Sequence, residues 1–78
     1  MILHIVEASV CGPHSLLLRF NDGMQKRVNV LSLLDGTIFE PLHDPAYFAR
    51  VTLDRVVGTV VWPNEADLAP EALYELEP

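Results

Sequence analysis

Three histidines and a single cysteine are the side chains with the most chemical reach in this sequence. Cys11 and His14 stand in Cys-x-x-His spacing, and His4 and His43 would complete a four-ligand set. A structural zinc site holds four thiolate or imidazole ligands in a tetrahedron. Here two ligands flank Gly12-Pro13 and the other two are remote in sequence. The ordinary reading is a buried thiol and three unrelated histidines, because free cysteine behaves as a small hydrophobe. Cys11 and His14 could also act as nucleophile and base, but a third group must orient the base, and the sequence locates none. A second candidate cluster is Glu65 and Asp67 with Glu40 and Asp44, for a hard cation or for acid–base work. Their spacing matches no calcium loop. Turn and cap chemistry accounts for them: Asn64 and Asp67 bond to their own backbone and Asp44 caps a helix. No catalytic residue, metal ligand or cofactor is assigned on this basis.

Charge placement is more informative. The 78 residues hold 11 acids and 5 bases, a net charge of -6. A general nucleic-acid binder should be basic, so that class is not expected. All five bases, Arg19, Lys26, Arg27, Arg50 and Arg55, lie at or before position 55. Six acids against five bases leave the first 55 residues at -1, whereas the last 23 carry -5. Glu65, Asp67, Glu71 and Glu75 belong to that acidic end, as does Glu77. It reads either as a solvated face or as a surface that steers a basic partner. Arg19, Lys26 and Arg27 form at best a small basic patch. Trp62 is expected in the core, with an interface as its second reading.

Short apolar segments must position these groups. Leu16, Leu18 and Phe20 alternate with Leu17 and Arg19, and Met24, Val28 and Val30 follow after Asn21-Asp22-Gly23. A three-residue loop, Asn21 to Gly23, pairs Phe20 with Met24 and Leu16 with Val28. A two-residue loop would set Phe20 against Gln25 and split the apolar face. Lys26 is the flaw in that face, and is expected to snorkel at the sheet edge. Ile2 to Val10 is a first strand with apolar residues of both parities, which suits a central place in the sheet. Leu31 to Leu34 reads as a helical turn. Asp44 caps a short helix with Pro45 in its first turn and Tyr47 and Phe48 inside. Val51 and Leu53 mark a fourth strand and Thr59 to Trp62 a fifth, with Gly58 turning the chain between them. Pro70 opens a last helix in which Ala72, Leu73 and Leu76 share a face. The expected fold is α+β: a small antiparallel sheet with order β-β-β-α-β-β-α, the short helices packed on one face, in a single domain over 1–78.

A chain of this size is expected to expose about 4,700 Å² when folded and to bury about 60% of its extended surface. One cysteine forms no internal disulfide, which fits a reducing cytoplasm, and the first residues do not resemble a signal peptide. Association is the expected supplement to so small a core.

Longer strings add a resemblance. They are Phe20-Asn21-Asp22-Gly23, Gly36-Thr37-Ile38-Phe39-Glu40-Pro41-Leu42, Asp44-Pro45-Ala46-Tyr47-Phe48, Gly58-Thr59-Val60-Val61-Trp62-Pro63-Asn64, Ala66-Asp67-Leu68-Ala69-Pro70 and Leu73-Tyr74-Glu75. In this order and spacing the chain resembles the bacterial family called domain of unknown function 2442, over nearly its whole length. One departure is Glu65, where family members often carry Gly after the Asn. The resemblance implies a small α+β domain without an agreed catalytic set, and a toxin–antitoxin-like pairing with a small neighbouring protein. The functional expectation is a non-enzymatic, cytoplasmic protein-interaction module that meets a basic protein partner through Trp62, Glu65, Asp67, Glu71, Tyr74 and Glu75. A second copy of the chain is the other partner considered; membrane and nucleic acid are not expected. Two alternatives remain at this stage. One is a metal-dependent or Cys/His enzyme-like accessory built on Cys11, His14 and the acidic loop. The other is a weak nucleic-acid-binding β-ribbon using Arg19, Lys26 and Arg27.

Overall fold

The structure, a computed structural model, describes residues 2–76. Its centre is the hairpin of β2 (Ser15–Phe20) and β3 (Gln25–Asn29), with Leu16 opposite Val28 and Leu18 opposite Lys26. The loop has three residues. The Phe20 amide donates to the Met24 carbonyl at 2.8 Å, and the Gly23 amide donates to the Phe20 carbonyl at 3.0 Å. Gly23 takes φ 92°, a left-handed value that glycine adopts without steric cost. Asp22 Oδ1 accepts from the Met24 amide at 2.9 Å and stiffens the tip.

β1 (Ile5–Gly12) pairs antiparallel with β2, and the sheet order β1-β2-β3 puts it at an edge, not at the centre. The reason lies in its register. Ile5 faces Phe20 but Glu7 faces Arg19, so Val6 is an extra residue that switches the phase of the strand. Ile5 and Ala8 then point to the core while Glu7 and Ser9 point away. Apolar residues of both parities thus serve one buried face. The strand begins at Ile5, later than expected. Ahead of it, Asn21 holds the chain by donating from Nδ2 to the Ile2 carbonyl at 2.7 Å and accepting from the His4 amide at 3.0 Å.

β4 (Thr52–Asp54) and β5 (Thr59–Val61) form a separate two-stranded ladder, where one sheet was expected. The Ile5 amide joins it to β1 through the Gly58 carbonyl at 2.9 Å. In the β4–β5 turn, Asp54 Oδ1 accepts from the amides of Val56 (2.9 Å) and Val57 (3.1 Å). Gly58 has φ 82°, and a Cβ there would lie 2.8 Å from the His4 ring.

Leu31–Leu33 is the expected helical turn, of 3-10 type. Thr37–His43 is a second 3-10 segment that strand-and-helix patterning did not suggest. Pro41 within it has no amide to donate, which suits short 3-10 pieces better than an α-helix. α1 (Pro45–Phe48) starts as expected, with Asp44 Oδ1 accepting from the Ala46 amide at 3.0 Å. α2 (Pro70–Glu75) buries Leu73 and packs Tyr74 against the core, and Leu76, just after the helix, packs there too.

One core joins these parts: Ile5, Leu16, Leu18, Phe20 and Val28 from the first sheet, Leu42 and Phe48 beneath it, and Val60, Trp62 and Leu73 from the second half. The exposed surface is 4716 Å², the value scaling gives for a closed monomer of this mass.

Candidate interaction surface

The acidic end is built on α2, and α2 is fixed by contacts from the hairpin. Lys26 faces inward beside Leu18 and reaches the end of α2. There its ammonium donates to the carbonyls of Tyr74 and, at 2.5 Å, Leu76. These carbonyls end the helix without intrahelical partners, so Lys26 supplies the missing donors. Its ammonium also lies 5.7 Å from the centroid of the Tyr74 ring. The Tyr74 ring stands edge-on to Phe20, centroids 4.9 Å apart, and its hydroxyl donates to Asp22 Oδ2 at 2.7 Å. The Met24 amide, and next the Tyr74 hydroxyl, hold the Asp22 carboxyl below its ordinary range. The same bond from Tyr74 to Asp22 raises the Tyr74 hydroxyl above its own range.

With Leu73 buried, Glu71 and Glu75 are turned to solvent. Glu65 and Asp67 are also exposed, and the preceding loop is braced. The Glu65 amide donates to the Trp62 carbonyl and the Trp62 amide to the Ala66 carbonyl, both at 2.9 Å. Asn64 makes the expected turn, accepting from the Ala66 amide at 3.1 Å, and also donates to the Ile38 carbonyl at 2.9 Å. Asp67 is positioned through its main chain, which bridges Val61. Glu65 has φ 70°, a left-handed conformation that a glycine adopts freely and a side chain with a Cβ does not. Glu77 lies outside the described residues.

Trp62 is withdrawn from this surface. It is 3% exposed, its Nε1 donates to the Phe48 carbonyl at 2.9 Å, and its ring lies 5.4 Å from that of Phe48. Tyr74 is half-buried and committed to Asp22 and Phe20. The surface thus reduces to four carboxylates. Among the described residues, the ion pair found is Arg19 with Glu7, and these four make none.

The other candidate groups are dispersed. Cys11 is exposed near the β1–β2 turn, contrary to the expected burial, because edge strand β1 ends there beyond the core. His14 Nε2 donates to the His43 carbonyl at 2.9 Å, and His43 Nε2 donates to the Leu34 carbonyl at 2.8 Å. His4 packs on Gly58 instead. Among the described residues, no three His, Cys, Asp or Glu side chains gather as metal ligands would. Glu40 is exposed on the second 3-10 segment, and Asp44 is occupied as a helix cap. The basic patch is split. Arg19 and Arg27 point outward from the sheet, but Lys26, one residue from Arg27, points inward because strand side chains alternate. No helix among the described residues is long and apolar enough to cross a membrane.

These features define a small α+β protein of two antiparallel ladders and two short α-helices, with an acidic rim carried on a pinned segment. The chain belongs to the family described as protein of unknown function DUF2442, whose sequence profile matches residues 5–78. No curated protein and no solved structure shows significant similarity to it.

Proposed function

We propose that this chain is a non-enzymatic, cytoplasmic bacterial module that captures a protein with a basic surface through Glu65, Asp67, Glu71 and Glu75. The observation that carries this reading is that all four carboxylates are exposed without a cationic partner among the described residues, on segments already held by other contacts. Fixed display lowers the ordering cost of binding, and complementary charge raises the rate of encounter. Lys26, the base that reaches α2, is spent on main-chain carbonyls and leaves the carboxylates unneutralised. An antitoxin-like pairing with a small neighbouring protein is the form of this reading that the family resemblance suggests.

The test is affinity capture from the native cell with wild-type and Glu71→Lys/Glu75→Lys bait, followed by rebinding of the purified partner. The expected result is a basic protein retained at low salt and lost with the double variant. Retention that is equal for both baits and indifferent to salt would refute the reading.

A further inference from the structure

The outer face of the first sheet carries a second surface, of opposite sign. The register sets Glu7 opposite Arg19, Ser9 opposite Leu17 and Leu17 opposite Arg27, so these side chains share the face turned from the core. Leu53 and Arg55, at the second ladder, close one side of it. A groove of about 270 Å³ remains, lined by Glu7, Ser9, Leu17, Arg19, Leu53 and Arg55 among others. Leu17 is 45% exposed on this face. The acid in the groove, Glu7, is taken by Arg19. Arg55 lines the groove and Arg27 lies beside it, so positive charge is in local surplus on a chain of net charge -6.

We propose that this groove binds an extended, acidic segment of a partner protein. An apolar side chain would rest on Leu17 and Leu53, with carboxylates on either side meeting Arg27 and Arg55, the guanidinium groups that Glu7 does not engage. Guanidinium groups match carboxylates in fork geometry, and the mixed apolar and cationic lining suits a peptide in which the two kinds of residue alternate. Single-stranded nucleic acid fits less well. It needs aromatic platforms, and no aromatic residue lines the groove; three arginines on an acidic protein also neutralise few phosphates. The acidic helix of a second copy fits less well too. Glu71 and Glu75 lie on its exposed side, whereas Leu73, the apolar residue between them, is buried in its own core.

The experiment is an amide-resolved NMR titration of the whole chain with the capped peptide Glu-Leu-Glu-Leu-Glu. Lys-Leu-Lys-Leu-Lys and a ten-residue oligothymidylate are the comparison probes. Expected are saturable shifts at Ser9, Leu17, Arg19 and Leu53 with the acidic peptide alone. Arg55→Ala, which leaves the Arg19–Glu7 pair intact, should weaken binding roughly fivefold. Raising the salt should weaken it as well, and Glu71→Lys/Glu75→Lys should leave it unchanged. No shift at millimolar peptide would overturn the proposal, as would equal shifts with the lysine peptide. So would tighter binding of the oligonucleotide, or the same residues shifting with protein concentration alone, which would assign the groove to a second copy.

Discussion

Replacing Lys26 by Met separates two opposed expectations. By pattern, Lys26 is a charge on the apolar face of β3, and Met should improve the packing. By structure, its ammonium caps α2 through the Tyr74 and Leu76 carbonyls. Each bond, only part-buried, contributes about 1–1.5 kcal/mol, below the usual range for a charged donor, or roughly 2–3 kcal/mol for the pair. Met keeps the apolar stem and returns about 1 kcal/mol at a half-buried position. The net loss is about 1.5 kcal/mol, which lowers Tm by roughly 6–12 °C in a domain of this size. Thermal unfolding followed by circular dichroism measures it. Hydrogen exchange places it: the amides of α2 should lose protection before those of β2. An unchanged or raised Tm for Lys26→Met would refute the cap, and with it the fixed display of Glu71 and Glu75.

Glu65→Gly should raise stability by roughly 0.5–1 kcal/mol, because relief of a left-handed residue exceeds the added freedom of the unfolded chain. A lower midpoint in urea would contradict the φ of 70°. Gly58→Ala should cost at least about 2 kcal/mol, from its positive φ and the contact with His4, and His4→Ala should restore part of that in a double-mutant cycle. The Met24 amide and the Tyr74 hydroxyl on Asp22 should together give stability a limb at each end of the pH scale. The Asp22 carboxyl is depressed, so its contribution is present above the ordinary 3.8 and is lost as pH falls through the lower folded value. The Tyr74 hydroxyl is raised, so its contribution is present below 10.0 and is lost as pH rises through the higher folded value. Urea titrations of Tyr74→Phe should abolish the alkaline limb and only reduce the acid one, because the Met24 amide still holds the Asp22 carboxylate.

Local chemistry was readable in the sequence. Period-two alternation selected the loop 21–23, and Asp44-Pro45 and Pro70 marked the helix starts. The alternation also separates Lys26 from Arg27, and weighing it at those two positions would have dissolved the basic patch. What escaped depends on distant partners. Lys26 meets carbonyls 48 and 50 residues away, and no local pattern encodes that. The central place expected for β1 failed because one extra residue, Val6, mimics a second apolar face. The candidate surface was found by charge placement, but burial decided which members could serve, and it removed Trp62.

The placement of Leu73 has a consequence for biosynthesis. Its side chain is wholly enclosed, beside sheet residues that precede it by more than 40 positions. During translation the hairpin 15–29 can close early, yet its apolar face is covered only in steps, as Leu42, Phe48 and Trp62 and then residues 70–76 emerge. The newborn chain therefore passes through an interval with Leu16, Leu18 and Phe20 only partly covered. Chaperone demand and aggregation should depend on how quickly those later segments follow the hairpin.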